Sequence, residues 1–198
     1  MLQICYPLTL TSYGLCTTHC VNPSRGESTR RLHYRHQRPH RFVEELSPET
    51  FPTLWEKIGE LATEGRLKAP LRVKEELLAK KNNLARWAQE HGHIFSPDDD
   101  ALVERCRTVL REVPDLVDYE KEREDADPWV VALALEEREK QQQKLEQLRA
   151  EVVVVTQERF GSIGGRRKIP DACRYFSVPC YSGPDSLVRL FQAENWRF

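Results

Sequence analysis

No stretch of this chain stays apolar for long. Its hydrophobic pieces are short, such as Val152-Val153-Val154-Val155, far from the ~20 residues a membrane-spanning helix needs, so a spanning helix is excluded. Charge of one sign is missing too. With 30 basic and 31 acidic side chains the formal net charge is −1, so no overall field draws the protein to nucleic acid or to an anionic membrane, and such contact has to come from a local patch. The opening MLQICYPLTLTSYGLC lacks a basic n-region, and Pro7 and Gly14 interrupt its apolar residues, which argues against a secretory signal. Covalent staples are not needed either, because a chain of 198 residues that is 39% hydrophobic can bury a core without them. Cys5, Cys16, Cys20, Cys106, Cys173 and Cys180 are therefore read as reduced thiols, and the chain as a soluble cytoplasmic protein.

What is present divides in two. Residues 1–46 carry three of the cysteines, four of the six histidines and a run of arginines, with no sustained period of 2 or 3.6, which predicts a poorly ordered segment whose removal costs little stability. From Ser47 to Phe198 the pattern is regular. Ser47 and Pro48 read as a helix start, with Phe51, Leu54, Trp55, Ile58 and Leu61 at helical spacing up to Gly65. A short extended piece from Leu67 to Pro70 leads to a helix with Val73, Leu77 and Leu78 on one face, and Asn82 or Asn83 separates it from the next helix. Ser96-Pro97-Asp98-Asp99 opens another helix, with Ser96 as the cap. Asp127, read as an N-cap, precedes Trp129–Leu135, apolar nearly all round and so deeply buried, while the continuation EEREKQQQKLEQLRA reads as projecting into solvent. Val152–Val155 reads as a central strand covered on both faces. A Gly-rich basic loop (Phe160–Lys168), a helix from Pro170, a strand near Val178–Tyr181 and a last helix from Pro184 complete an α/β chain with a parallel sheet joined by right-handed crossovers. Trp55, Trp87 and Trp129 fall on apolar helical faces and read as core.

In such sheets, ligands bind beyond the carboxyl ends of the strands. Four carboxylate positions fall at strand ends or helix starts: Glu75-Glu76, Asp127, Glu158 and Asp171. Together they could hold Mg²⁺ or Mn²⁺, hard ions that prefer oxygen ligands and activate water for attack on a phosphodiester.

The ordered strings FPTLWEKI, AP-LRV-KEEL, DADPWVVALALE, VVVVTQER and KIPDACRYFSVPC resemble a PIN-like family of unknown function, related to the toxin endoribonucleases of bacterial toxin–antitoxin pairs. The resemblance implies a three-layer fold, a central parallel sheet flanked by helices. It implies a metal-dependent endoribonuclease with Glu76, Asp127 and Glu158 as catalytic metal ligands and Asp171 as a further ligand. The implied partners are an RNA substrate and a cognate antitoxin; a homodimer stays open, and no membrane is expected. That family opens with a strand ending in an aspartate just before the first helix. Here no aspartate occurs before Asp98, and the corresponding RPHRFVEEL offers only Glu44 and Glu45, so the first strand reads as missing or degraded and residues 1–46 as mis-framed. A catalytically inactive remnant or binding module of the same fold is the alternative.

Plainer readings stand beside these. Asp127 and Asp171 can be helix caps, Glu75 and Glu76 a solvated pair, and Glu158 an ordinary acid after a strand. Arg159, Arg166, Arg167 and Lys168 can contact an RNA backbone or form a solvated loop. Cys16-x3-Cys20 with His36-x3-His40 approximates a zinc-finger spacing, although its gap is long and holds Pro23 and Gly26.

Overall fold

The computed structural model describes residues 4–8, 46, 48–80, 82–117, 125–146 and 150–197. The first described helix, α1 (Pro52–Thr63), begins four residues later than the Ser47-Pro48 signal suggests, because Pro52 occupies the first helical position and residues 48–50 form a turn. Ser47 lies outside the described residues. Leu54, Trp55, Ile58 and Leu61 are buried as their spacing requires.

Next, β2 (Ala69–Pro70) feeds directly into α2 (Leu71–Ala79), which buries Val73 and Leu77. Asn82 then caps α3 (Asn83–Glu90) by accepting the Ala85 N–H at 3.2 Å. The short β3 (Phe95–Ser96) pairs in parallel with β2. That pairing removes Ser96 from the role expected of it; Asp99 caps α4 (Asp100–Glu112) instead, taking the Leu102 N–H at 2.8 Å.

The longest described helix, α5 (Asp127–Gln142), packs on α4 on one side and on β4 (Glu151–Thr156) on another. This explains why its first half is apolar all round: Val130, Val131, Ala132, Leu133 and Ala134 are at most 1% exposed. Each large aliphatic among them contributes about 1.5–3 kcal/mol by burial. The second half does not project into solvent as its polarity suggests. Glu137 and Gln141 are buried, and Glu137 accepts hydrogen bonds from Lys68 Nζ at 2.7 Å and Lys140 Nζ at 3.1 Å. The helix ends at Gln142, and Leu145 is exposed.

β4 is the middle strand of a three-stranded sheet. β5 (Cys180–Ser182) runs parallel to it, connected through α6 (Ile169–Tyr175), and α7 (Ser186–Ala193) follows β5 and packs back on the sheet. The third strand, β1 (Ile4–Leu8), comes from the segment expected to be poorly ordered and runs antiparallel to β4, with Ile4 opposite Val155 and Leu8 opposite Glu151. Pro7, which has no N–H to donate, is tolerated there because β1 is an edge strand. The parallel sheet expected from the sequence is thus mixed. Residues 9–45, with the Cys16, Cys20, His36 and His40 spacing and with Glu44 and Glu45, lie outside the described residues. Among the described residues no helix is long and apolar enough to cross a membrane. Cys106, Cys173 and Cys180 are free thiols, the first two buried.

Candidate functional site at the carboxyl end of the central strand

β4 delivers the chain at Thr156, fully buried, into a loop that returns at α6. Glu158 sits at the start of this loop. Its main chain is fixed on both sides, the N–H donating to Thr156 Oγ1 at 3.1 Å and the carbonyl accepting the Gly183 N–H at 2.7 Å. Its carboxylate turns toward the start of α6, where Oε2 accepts the Ile169 N–H at 3.1 Å and Oε1 stands 3.8 Å from Lys168 Nζ. Asp171 works at the same helix start. Its Oδ2 accepts two main-chain hydrogen bonds, from Gly161 at 2.7 Å and from Lys168 at 2.9 Å, so it caps its own helix and clamps the loop.

The clamp brings the two arms of the loop very close. A Cβ on Gly161 would stand 2.6 Å from the Arg166 carbonyl oxygen and 3.1 Å from Asp171 Oδ2, so glycine is required there. Beyond it the chain turns through Ser162–Gly165, with the Gly165 N–H donating to the Ser162 carbonyl at 2.9 Å, and Ile163 stands fully exposed at the tip.

A second acidic group gathers at the start of α5. Asp127 is buried at the first helical position, one residue past the N-cap Ala126. The Ala126 N–H donates to Glu76 Oε1 at 3.3 Å, which reaches over from α2. Asp125, also buried, pairs with Arg166 Nη1 at 3.3 Å. Sequence reasoning missed Asp125, although its position two residues before Asp127 and ahead of an apolar helix was a usable signal. Glu75 is exposed and pairs with Arg72 at 3.3 Å.

The four expected ligand positions therefore fall into two pairs: Glu76 with Asp127 at the start of α5, and Glu158 with Asp171 at the start of α6. The Arg166–Asp125 ion pair bridges the two. Of the four cations expected to contact RNA, Arg166 is held by this pair, Lys168 lies near Glu158, and Arg159 and Arg167 are exposed. Among the described residues no group of three or more His, Cys, Asp or Glu side chains is placed to hold a metal ion.

A search of curated proteins finds no match, and neither does a search of solved structures. A family model does match, over residues 43–198, which includes every element from α1 to α7. The chain belongs to the family described as Domain of unknown function (DUF4411).

Proposed function

We propose that this chain is an RNA-binding domain with a PIN-like three-layer fold, akin to the metal-dependent endoribonucleases of toxin type, and that its own residues serve to hold the RNA backbone. The observation that carries this is the clamped basic loop. Asp171 and Glu158 fix the main chain of residues 158–169 from inside, which presents Arg159, Arg167 and Lys168 on a preorganised support at the carboxyl end of β4. Main-chain N–H groups and cations in a Gly-rich loop suit phosphate oxygens.

Hydrolysis is a different matter. In that class it relies on Mg²⁺ or Mn²⁺, which would activate water and offset phosphodiester charge. Glu76 and Asp127 approach the same helix start, but Glu158 and Asp171 are engaged at another, and no third carboxylate, imidazole or thiolate among the described residues completes a ligand set. That donor set does not fit the ion, and no step through it follows. One observation favours the hydrolytic reading: Asp127 is a buried carboxylate at the same helix start that the Glu76 carboxylate reaches. A cognate antitoxin belongs with that second reading.

One experiment separates them. The purified chain is mixed with fluorescein-labelled single-stranded RNA in Mg²⁺, Mn²⁺ or EDTA, and binding is followed by anisotropy while cleavage is followed on a denaturing gel. Binding that survives EDTA, with no cleavage above the protein-free rate, is expected. Cleavage in Mn²⁺ that Asp127→Asn removes would establish the nuclease, and absence of binding in all three buffers would end the RNA reading.

A further inference from the structure

The surface next to the clamped loop has an aromatic character that the acidic site does not use. Phe160 is 45% exposed, and the Arg174 guanidinium lies over its ring at 3.9 Å. Tyr175, 53% exposed, follows Arg174 on α6 and meets Phe176 edge-on with ring centroids 5.0 Å apart. Its hydroxyl donates to Glu112 of α4 at 2.9 Å. That hydrogen bond raises the Tyr175 hydroxyl above its ordinary pKa. The exposed ring–guanidinium pair of Phe160 and Arg174 thus stands where the clamped loop meets α6.

Charge says what covers this face. Between Arg159 and Tyr175 the sequence has five cations (Arg159, Arg166, Arg167, Lys168, Arg174) and one anion, Asp171, whose carboxylate is turned onto main-chain N–H groups. Arg166 pairs with Asp125, Lys168 lies near Glu158 and Glu112 meets Tyr175, while Arg159, Arg167 and Arg174 are exposed, in a chain whose net charge is −1. An exposed aromatic ring flanked by guanidinium groups within a cationic strip matches a strand of unstacked bases on a phosphate backbone. A duplex hides its bases and could use only the cations.

We propose that the exposed Phe160–Arg174 pair binds single-stranded RNA by stacking a base, with adjacent phosphates on Arg159 and Arg167 of the same loop. This rests on the RNA reading above and specifies the form of RNA taken. The stacking makes binding tolerant of base identity and selective for single strands.

The test compares fluorescein-labelled RNA of about 10 nucleotides, single-stranded or annealed, by anisotropy in EDTA. Wild type should bind the single strand more tightly than the duplex. Phe160→Ala should weaken single-strand binding about tenfold or more while leaving duplex binding within about twofold, Phe160→Trp should restore it, and Arg174→Ala should weaken single-strand binding about tenfold and duplex binding less. Arg167→Ala should lower the slope of log affinity against log salt by about 0.7. Phe160 is nearly half exposed, so circular dichroism melting verifies that the variants fold. Single-strand binding unchanged in Phe160→Ala and Arg174→Ala would overturn the stacking site and leave the RNA reading standing. Equal affinity for duplex and single strand would do the same. No RNA binding by wild type would overturn both. Self-association of wild type that Phe160→Ala abolishes, without RNA binding, would make this face a protein interface and overturn the proposal.

Discussion

Asp171→Ala tests what the carboxylates at the end of β4 are for. In the folded protein Asp171 Oδ2 accepts the Gly161 and Lys168 N–H groups at 2.7 and 2.9 Å, and the side chain is half-buried. Hydrogen bonds to a charged acceptor each contribute about 1.5–3 kcal/mol net, and partial exposure puts these at the low end. Losing both should cost about 3 kcal/mol. For a domain of this size that corresponds to a melting temperature lower by about 5–10 °C. Asp171→Asn keeps an acceptor oxygen without the charge and should lose roughly half as much. Differential scanning calorimetry gives the first number. Amide hydrogen exchange at Gly161 and Lys168 gives an independent one, since both N–H groups should exchange at least tenfold faster in Asp171→Ala while the amides of β4 keep their order of protection. The sign decides the role. A carboxylate crowded among metal ligands is repelled by its neighbours in metal-free protein, so removing it stabilises, whereas removing a cap destabilises. A melting point unchanged or raised in EDTA, with unaltered exchange at Gly161, would refute the clamp.

Glu137 should confer an acid-sensitive stability. Burial pushes its carboxyl up, but hydrogen bonds from Lys68 and Lys140 outweigh this and hold it below the ordinary 4.5, so its contribution is present above that pH and lost as pH falls through the lower folded value. Glu137→Gln should therefore melt lower than wild type at pH 7, with the gap closing below pH 4.5; a gap that stays constant in a pH series of thermal melts would contradict the pairing. Removal of residues 1–46 takes β1 from β4 and bares a strand edge, so the truncated protein should melt lower and self-associate with rising concentration in light scattering, against what the poor periodicity of that segment suggests. A monomer that melts with the full chain would mean that β1 contributes nothing.

Much of the fold was legible wherever the signal was local. Pro and Asp at helix starts, the β-branched run of β4 and the apolar first half of α5 all produced the elements they announce. A cap was displaced where a tertiary partner took the expected residue: Ser96 pairs with Pro70, so Asp99 caps α4. The burial of Glu137 was invisible because Lys68 approaches from a distant segment. β1 was invisible because Ile4-Cys5-Tyr6-Pro7-Leu8 lacks alternation and carries a proline that argues against a strand, and its partner lies far away in the sequence. At the site, position was legible and convergence was not. The plain alternative for Asp171, a cap on its own helix, is the role its two main-chain bonds describe.

The direction of β1 governs what could ever be delivered to the carboxyl end of β4. Because the two strands are antiparallel, the residue that β1 brings level with Val155 is its first, Ile4, while Leu8 is level with Glu151. The carboxyl end of β1 therefore lies on the Glu151 side of the sheet, ~14 Å from Ile4 at the usual rise per residue, and only its amino end stands level with the place where β4 leads into the Glu158 loop.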